Sequence, residues 1–216
     1  MDFLSLHEKI TEHQNLSLFL LSKFKYKKTE LKKNMEYRVK ENEFIIVLNG
    51  LSIKKINNRI TGEYQYSFNS EGDFIFMVED DETYYLSNIK KCHIAILNKD
   101  AIFDTLEEDG LLVHLFLEQY LKVEEEMHFL NLQLLNSNKR IIHYILQISR
   151  LNQQAFKLPY LLFPKEITVT SLAKYCNCNR ITASRLLSKL KEKKYIFPEE
   201  EGFMIPEENV EYLLNM

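Results

Sequence analysis

Two arginines five residues apart, Arg180 and Arg185, stand in the run NCNRITASRLLSKL (177–190), with Ile181, Thr182, Ala183 and Ser184 between them. On a helix this spacing puts Arg180, Ile181, Ser184, Arg185 and Ser188 on one face, and Ala183, Leu186, Leu187 and Leu190 on the other. A guanidinium fork matches the paired acceptors on the major-groove edge of guanine, and a helix kept slim by Ala183 and Ser184 can enter that groove. The chemistry is base readout, provided the surroundings can hold a polyanion. They can: between Lys165 and Ile196 eight basic residues face two acidic ones, a local charge of +6 that leaves −9 for the rest of a chain of net charge −3. That concentration is the footprint of phosphate binding.

The elements that must position this face are legible around it. In TVTSLAKYCNCNRITASRLLSKL, Thr168 is a candidate N-cap for a first helix running to about Cys176. Ala173 is small where two helices approach. Asn177 falls at the tight turn, where a left-handed backbone is needed and asparagine is the best substitute for glycine. A second helix starts at Asn179 or Arg180. The tail KYIFPEEEGFMIPEENVEYLLNM reads as a strand, an acidic turn ending at Gly202, a second strand and a terminal helix, so the helix–turn–helix carries a wing.

Upstream the pattern differs. From about Asn42 to Leu97 it is strand-like. EFIIVLNGLSIKKI predicts two strands joined by a two-residue Asn49-Gly50 turn, EYQYSFNSEGDFIFM repeats the idea around Glu71-Gly72-Asp73, and CHIAIL closes the block. A small roll or barrel is expected. The first 30 residues read as helical, then basic and irregular around KYKKTELKK. From Gly110 to Asn136 the period becomes helical, with Val113, Phe116, Tyr120, Val123, Met127, Leu130 and Leu134 at alternating steps of three and four. About 26 helical residues span ~39 Å, more than a small domain needs for its own core, so the seam is expected to pair with a second copy in a parallel homodimer. A further helix, Lys139 to Gln153, is expected after an Asn138 N-cap, and Leu158 to Ile167 as an extended connection. The domains are then 1–109 (roll), 110–136 (dimerisation helix) and 137–216 (winged helix–turn–helix).

Other chemistry has little support. Cys92, Cys176 and Cys178 cannot supply a full disulfide framework or a four-ligand zinc or iron–sulfur site, and they read as small apolar residues. The six histidines are scattered, without an H-x-H or H-x-x-x-H pair, so no metal site and no cofactor is expected. No nucleophile elbow or glycine-rich phosphate loop occurs, and no catalytic residue or enzyme activity is expected. The apolar run Leu16–Leu21 is too short to span a bilayer, and no secretory leader precedes it; no membrane association and a cytoplasmic location are expected.

The order of roll, seam helix, short helix and winged helix–turn–helix resembles the Crp/Fnr family of bacterial transcription regulators, most closely over ITVTSLAKYCNCNRITASRLLSKLKEKKYI and more loosely at VLNG and EGDF. The resemblance implies an α+β fold: an N-terminal cupin-like β-roll of the cyclic-nucleotide-binding-domain type, a long dimerisation helix and a C-terminal winged helix–turn–helix. It puts Arg180, Ser184 and Arg185 at base-reading positions, and Thr168, Asn179 and Thr182 near phosphates, with Lys189 a further phosphate contact from its place on the helix. Ile181 stands where the family often has glutamate, so an apolar contact to a thymine methyl replaces an acceptor. Double-stranded DNA, a second copy and, by analogy alone, RNA polymerase are the implied partners, with activation rather than repression as the outcome. No arginine lies between Gly72 and Lys90, and the four acids Glu79 to Glu82 oppose a phosphate, which argues against cyclic AMP and leaves any small-molecule effector unidentified. The rival reading is a small-molecule-binding roll whose helical tail is a protein-interaction module.

Overall fold

A computed structural model describes residues 7, 9, 15–32, 35–57, 64–77, 83–132, 136–152 and 159–216, and for residues 123–132 the backbone alone. The chain divides into two compact units, Met1–Glu126 and Met127–Met216.

The first unit is a roll of two four-stranded antiparallel sheets. After α1 (Asn15–Lys23) come β1 (Lys27–Leu31), β2 (Tyr37–Arg38), β3 (Glu43–Asn49), β4 (Ser52–Asn57), β5 (Tyr64–Asn69), β6 (Phe74–Phe76), β7 (Thr83–Asn88) and β8 (Cys92–Asn98), then α2 (Lys99–Glu108) and α3 (Leu112–Leu132), whose residues from Met127 on belong to the second unit. One sheet has the order β1-β8-β3-β6 and the other β2-β7-β4-β5. The run Phe44-Ile45-Ile46-Val47 is apolar without a break because β3 is covered on both sides. Phe44 and Ile46 join Leu16, Leu20, Ile102, Leu106 and Leu115 under the helices. Ile45 and Val47 join Ile56, Leu86 and Ile94 between the sheets. Period 2 along a strand sends neighbours to opposite faces, so one tetrapeptide serves two cores.

Several expectations are corrected. Asn49-Gly50 and Glu71-Gly72-Asp73 do not close hairpins, because β3 and β6 lie in one sheet and β4 and β5 in the other. Both turns are corners. Gly50 (φ +83°) makes the first one possible, since a Cβ there would sit 2.2 Å from the Lys91 carbonyl oxygen. KYKKTELKK contains a strand, β1, which pairs along an edge with β8 from Lys27↔Ile96 to Leu31↔Cys92. Its exposed lysines suit an edge that must resist further pairing. Helix α2 interrupts the block before the seam and is capped by Asn98, whose side chain accepts from Ala101 N at 2.9 Å. Gly110 (φ +68°) then opens the turn into α3.

The second unit packs α4 (Ser137–Asn152), β9 (Tyr160–Pro164), α5 (Val169–Tyr175), α6 (Arg180–Glu192), β10 (Phe197–Glu199), β11 (Gly202–Pro206) and α7 (Glu207–Leu214). Helix α4 buries Ile141, Ile142, Tyr144, Ile145, Leu146 and Ile148. Asn136 rather than Asn138 accepts a first-turn amide, that of Lys139 at 3.0 Å, so the helix starts earlier than expected. The expected extended connection holds strand β9, which pairs with β11 and makes the wing three-stranded.

Candidate nucleic-acid interface

The helix–turn–helix is set by a chain of local hydrogen bonds. Thr168 Oγ1 accepts from Ser171 N (3.1 Å) and caps α5. That helix ends with Cys178 N donating to Ala173 O (2.9 Å) and Asn177 N to Lys174 O (3.2 Å), while Asn177 takes φ +46°. This is the paired closure of a helix C-terminus around a left-handed residue. Two residues on, Asn179 Oδ1 accepts from Thr182 N (2.8 Å) and Thr182 Oγ1 (3.0 Å), which caps α6. The far end of α6 closes in the same way: Tyr195 N donates to Leu190 O (2.9 Å) around Lys194 at φ +58°.

On α6, Ala183, Leu186 and Leu190 are buried and Leu187 half-buried. Arg180, Ile181, Ser184, Arg185, Ser188 and Lys189 are all exposed, and Ile181 at 63% is among the most exposed large apolar residues described. The expected base-reading set thus shares one accessible face. Thr168 and Asn179 stand at the starts of α5 and α6 as their caps, and Thr182 in the first turn of α6 donates to the Asn179 cap. An Asn179 amide nitrogen remains to donate outward, because only its oxygen takes part in the cap.

The wing is built differently from the helix it follows. Phe163 and Phe203 stack with centroids 4.6 Å apart beneath it. Gly202 (φ +141°) lets β11 pass so close to β9 that a Cβ would fall 1.9 Å from the Phe163 carbonyl oxygen. At the tip Glu199, Glu200 and Glu201 are all exposed, and Glu201 takes Lys165 in an ion pair at 2.7 Å. The module's positive charge is therefore carried by α6 and the Lys191–Lys194 segment, whereas the wing tip is acidic.

Along α3, Val113, Phe116 and Tyr120 are exposed, together with the unforeseen Leu121, while Leu115 and His114 are buried on the core side. Val123, Met127 and Leu130 lie on α3, but their side chains fall outside the described residues, as does Leu134 altogether. His114 stacks on His7 with centroids 5.4 Å apart and Nδ1 atoms 3.2 Å apart. Sequence reading missed this pair because 107 positions separate its members.

The acids Glu79–Glu82 lie outside the described residues. In the described part of the roll, Lys122 of α3 donates to Asn69 Oδ1 (2.8 Å) and pairs with Asp73 (3.0 Å). Burial, reinforced by Asp73, raises the Glu118 carboxyl to about 7. Thr29 Oγ1, Ser67 Oγ and Asn69 Nδ2 are buried there or elsewhere in the roll's strands without a partner. Among the described residues no three His, Cys, Asp or Glu side chains gather as metal ligands. Burial pushes the Cys92 thiol up to about 12 and raises the Cys176 thiol as well, which suppresses the thiolate. No described helix is long and apolar enough to cross a membrane.

A family model of bacterial regulatory proteins, crp family, matches residues 170–196, the segment from α5 through α6. The helix–turn–helix is of the Crp family. The α+β architecture of the whole chain agrees with solved structures along almost its whole length. FixK2 from Bradyrhizobium japonicum superposes with a TM-score of 0.70 at 14% identity, covering 89% of this chain and 97% of that one. A cyclic nucleotide-binding domain containing protein from Listeria monocytogenes gives 0.66 at 14% identity, covering 93% and 99%. A Eubacterium rectale protein placed in the crp/fnr family of transcriptional regulators gives 0.63 at 12%, covering 98% of each. At such identities the likeness is one of fold. No curated protein sequence matches the chain.

Proposed function

We propose that this Crp-family chain is a cytoplasmic, sequence-specific transcription regulator that acts as a homodimer on a near-palindromic DNA site. Residues 1–109 form the sensory roll, 110–136 the dimerisation helix and 137–216 the DNA-binding domain. Arg180, Ile181, Ser184 and Arg185 read base edges, while Thr168, Asn179, Thr182 and Lys189 contact phosphates. Val113, Phe116, Tyr120, Val123, Met127, Leu130 and Leu134 form the seam between copies. The observation that carries this reading is the accessible α6 face, where two arginines flank short side chains inside a segment of charge +6. The exposed apolar stripe on α3 supports pairing, because contiguous apolar surface on one helix face is costly to leave in water. Two recognition helices would sit about 34–36 Å apart, one turn of duplex.

Activation through contact with RNA polymerase follows the family, as does control through the roll, where an effector would shift the population of the DNA-competent dimer. Cyclic AMP does not suit the sequence after Gly72, which offers no arginine before Lys90. Selecting bound duplexes from a random pool with the purified full chain is the test. The expected result is an inverted repeat with half-site centres one turn apart and binding that weakens steeply with salt. No enriched sequence, or affinity indifferent to salt, overturns the reading.

A further inference from the structure

We infer that Arg140, on the first turn of α4, is the positioning residue for the recognition helix. It holds the turn between α5 and α6 from outside the motif. The inference rests on the DNA-reading role of α6 proposed above.

The last carbonyls of any helix lack partners within it. The closure of α5 uses Ala173 O and Lys174 O, not the carbonyls of Cys176 and Asn177. Arg140 takes both: Nε donates to Cys176 O at 3.0 Å and Nη2 to Asn177 O at 3.1 Å, while Nη2 also reaches Ser137 Oγ at 3.3 Å. A guanidinium is suited to this because its donors are fixed in one plane, so two acceptors met at once set an orientation as well as a distance. A cation at the carbonyl end of α5 also opposes the negative end of that helix.

Position gives the contact its consequence. Asn177 is the left-handed residue of the turn, and Asn179 two residues later caps α6. A turn fixed at Cys176 and Asn177 therefore fixes the direction in which Arg180, Ser184 and Arg185 leave it. Arg140 lies only four residues past Asn136, at the start of the helix that opens the described part of this module, so the clamp joins that entry to the reading head. The neighbouring thiols feel the guanidinium too, since it opposes the rise that burial imposes on Cys176 and Cys178.

The test uses the full chain, the selected duplex and a random duplex, each at several salt concentrations. Arg140→Met keeps most of the side-chain volume but no donor, and Arg140→Lys keeps the charge but not the fork. The Met variant is expected to lose roughly tenfold in affinity for the selected duplex, with random-duplex affinity and salt slope unchanged, and the Lys variant to recover part of that loss. Equal loss on both duplexes, with a slope smaller by about one, would make Arg140 a phosphate contact and overturn the inference. So would an unchanged preference in both variants. Hydrogen exchange of the Cys178–Ala183 amides in the DNA-free chain gives a second readout: faster exchange there in Arg140→Lys, with α4 amides unaltered, is expected, and no change counts against the clamp. If wild-type protein selects no duplex, the proposed function fails by itself, while the exchange measurement still decides the role of Arg140.

Discussion

The roll and the helix–turn–helix reach order by opposite routes. In the roll, partners are remote: β1 pairs with β8, β3 with both β6 and β8, and His7 meets His114. In the reading module they are near neighbours: Thr168 with Ser171, Asn179 with Thr182, Cys178 with Ala173. The first arrangement stores its specificity in packing and the second in caps and turns. Substitutions in the two regions should accordingly register in different measurements.

The largest effect is expected from Phe44→Ala. Phe44 is fully buried with ring centroids 5.4, 5.0 and 6.4 Å from those of Phe74, Phe76 and Phe103, and truncation of such a residue costs about 3–5 kcal/mol. Urea unfolding should show that loss, while the folded fraction keeps its preference among DNA sequences; an altered preference would break the separation. Arg185→Ala should do the converse. It should cost roughly 1–3 kcal/mol on the cognate duplex and relax one base position, with the unfolding midpoint unmoved. Lys189→Ala on the same helix should weaken all duplexes alike and flatten the salt slope. Identical behaviour of the two variants would remove the distinction between base and phosphate contacts.

Asn177 sharpens the comparison at smaller amplitude. At φ +46° an alanine should cost about 1–2 kcal/mol, and glycine close to nothing. If alanine is tolerated equally, the turn is not held as tightly as its hydrogen bonds imply. Glu118 on α3 is read in pH dependence rather than in affinity. Its carboxyl is raised from 4.5 to about 7 by burial and by Asp73, so the folded state holds a proton that the unfolded chain gives up. Stability from this group is present below pH 4.5 and is lost as pH rises toward 7. Relative to Glu118→Gln, wild-type Tm should fall across that window; parallel curves would mean the carboxyl is not displaced.

The same contrast governs what could be read from sequence. The first cap, the left-handed asparagine and the two faces of α6 are encoded within a few residues of where they act, so the motif was legible down to Thr168 and Asn177, while the Asn179 cap emerged only in the structure. The corners at Gly50 and Gly72 were not legible, because a turn signal says that the chain reverses but not which sheet receives the next strand. Strand β1 was hidden by its lysines, which suit an exposed edge as well as a loop. Asn136 and Asn138 are equally good caps on paper, and the structure places the first at the Lys139 amide. Arg140 gave no local sign of its clamping contacts, for the two carbonyls it holds lie 36 and 37 positions downstream.

Strand β3 has one more implication. It is a party wall: Phe44 and Ile46 furnish the room under the helices, and Ile45 and Val47 the room between the sheets. A wall shared in this way has no slack, because adjacent residues cannot shift independently. Whatever crowds or empties one room must press on the tenant next door.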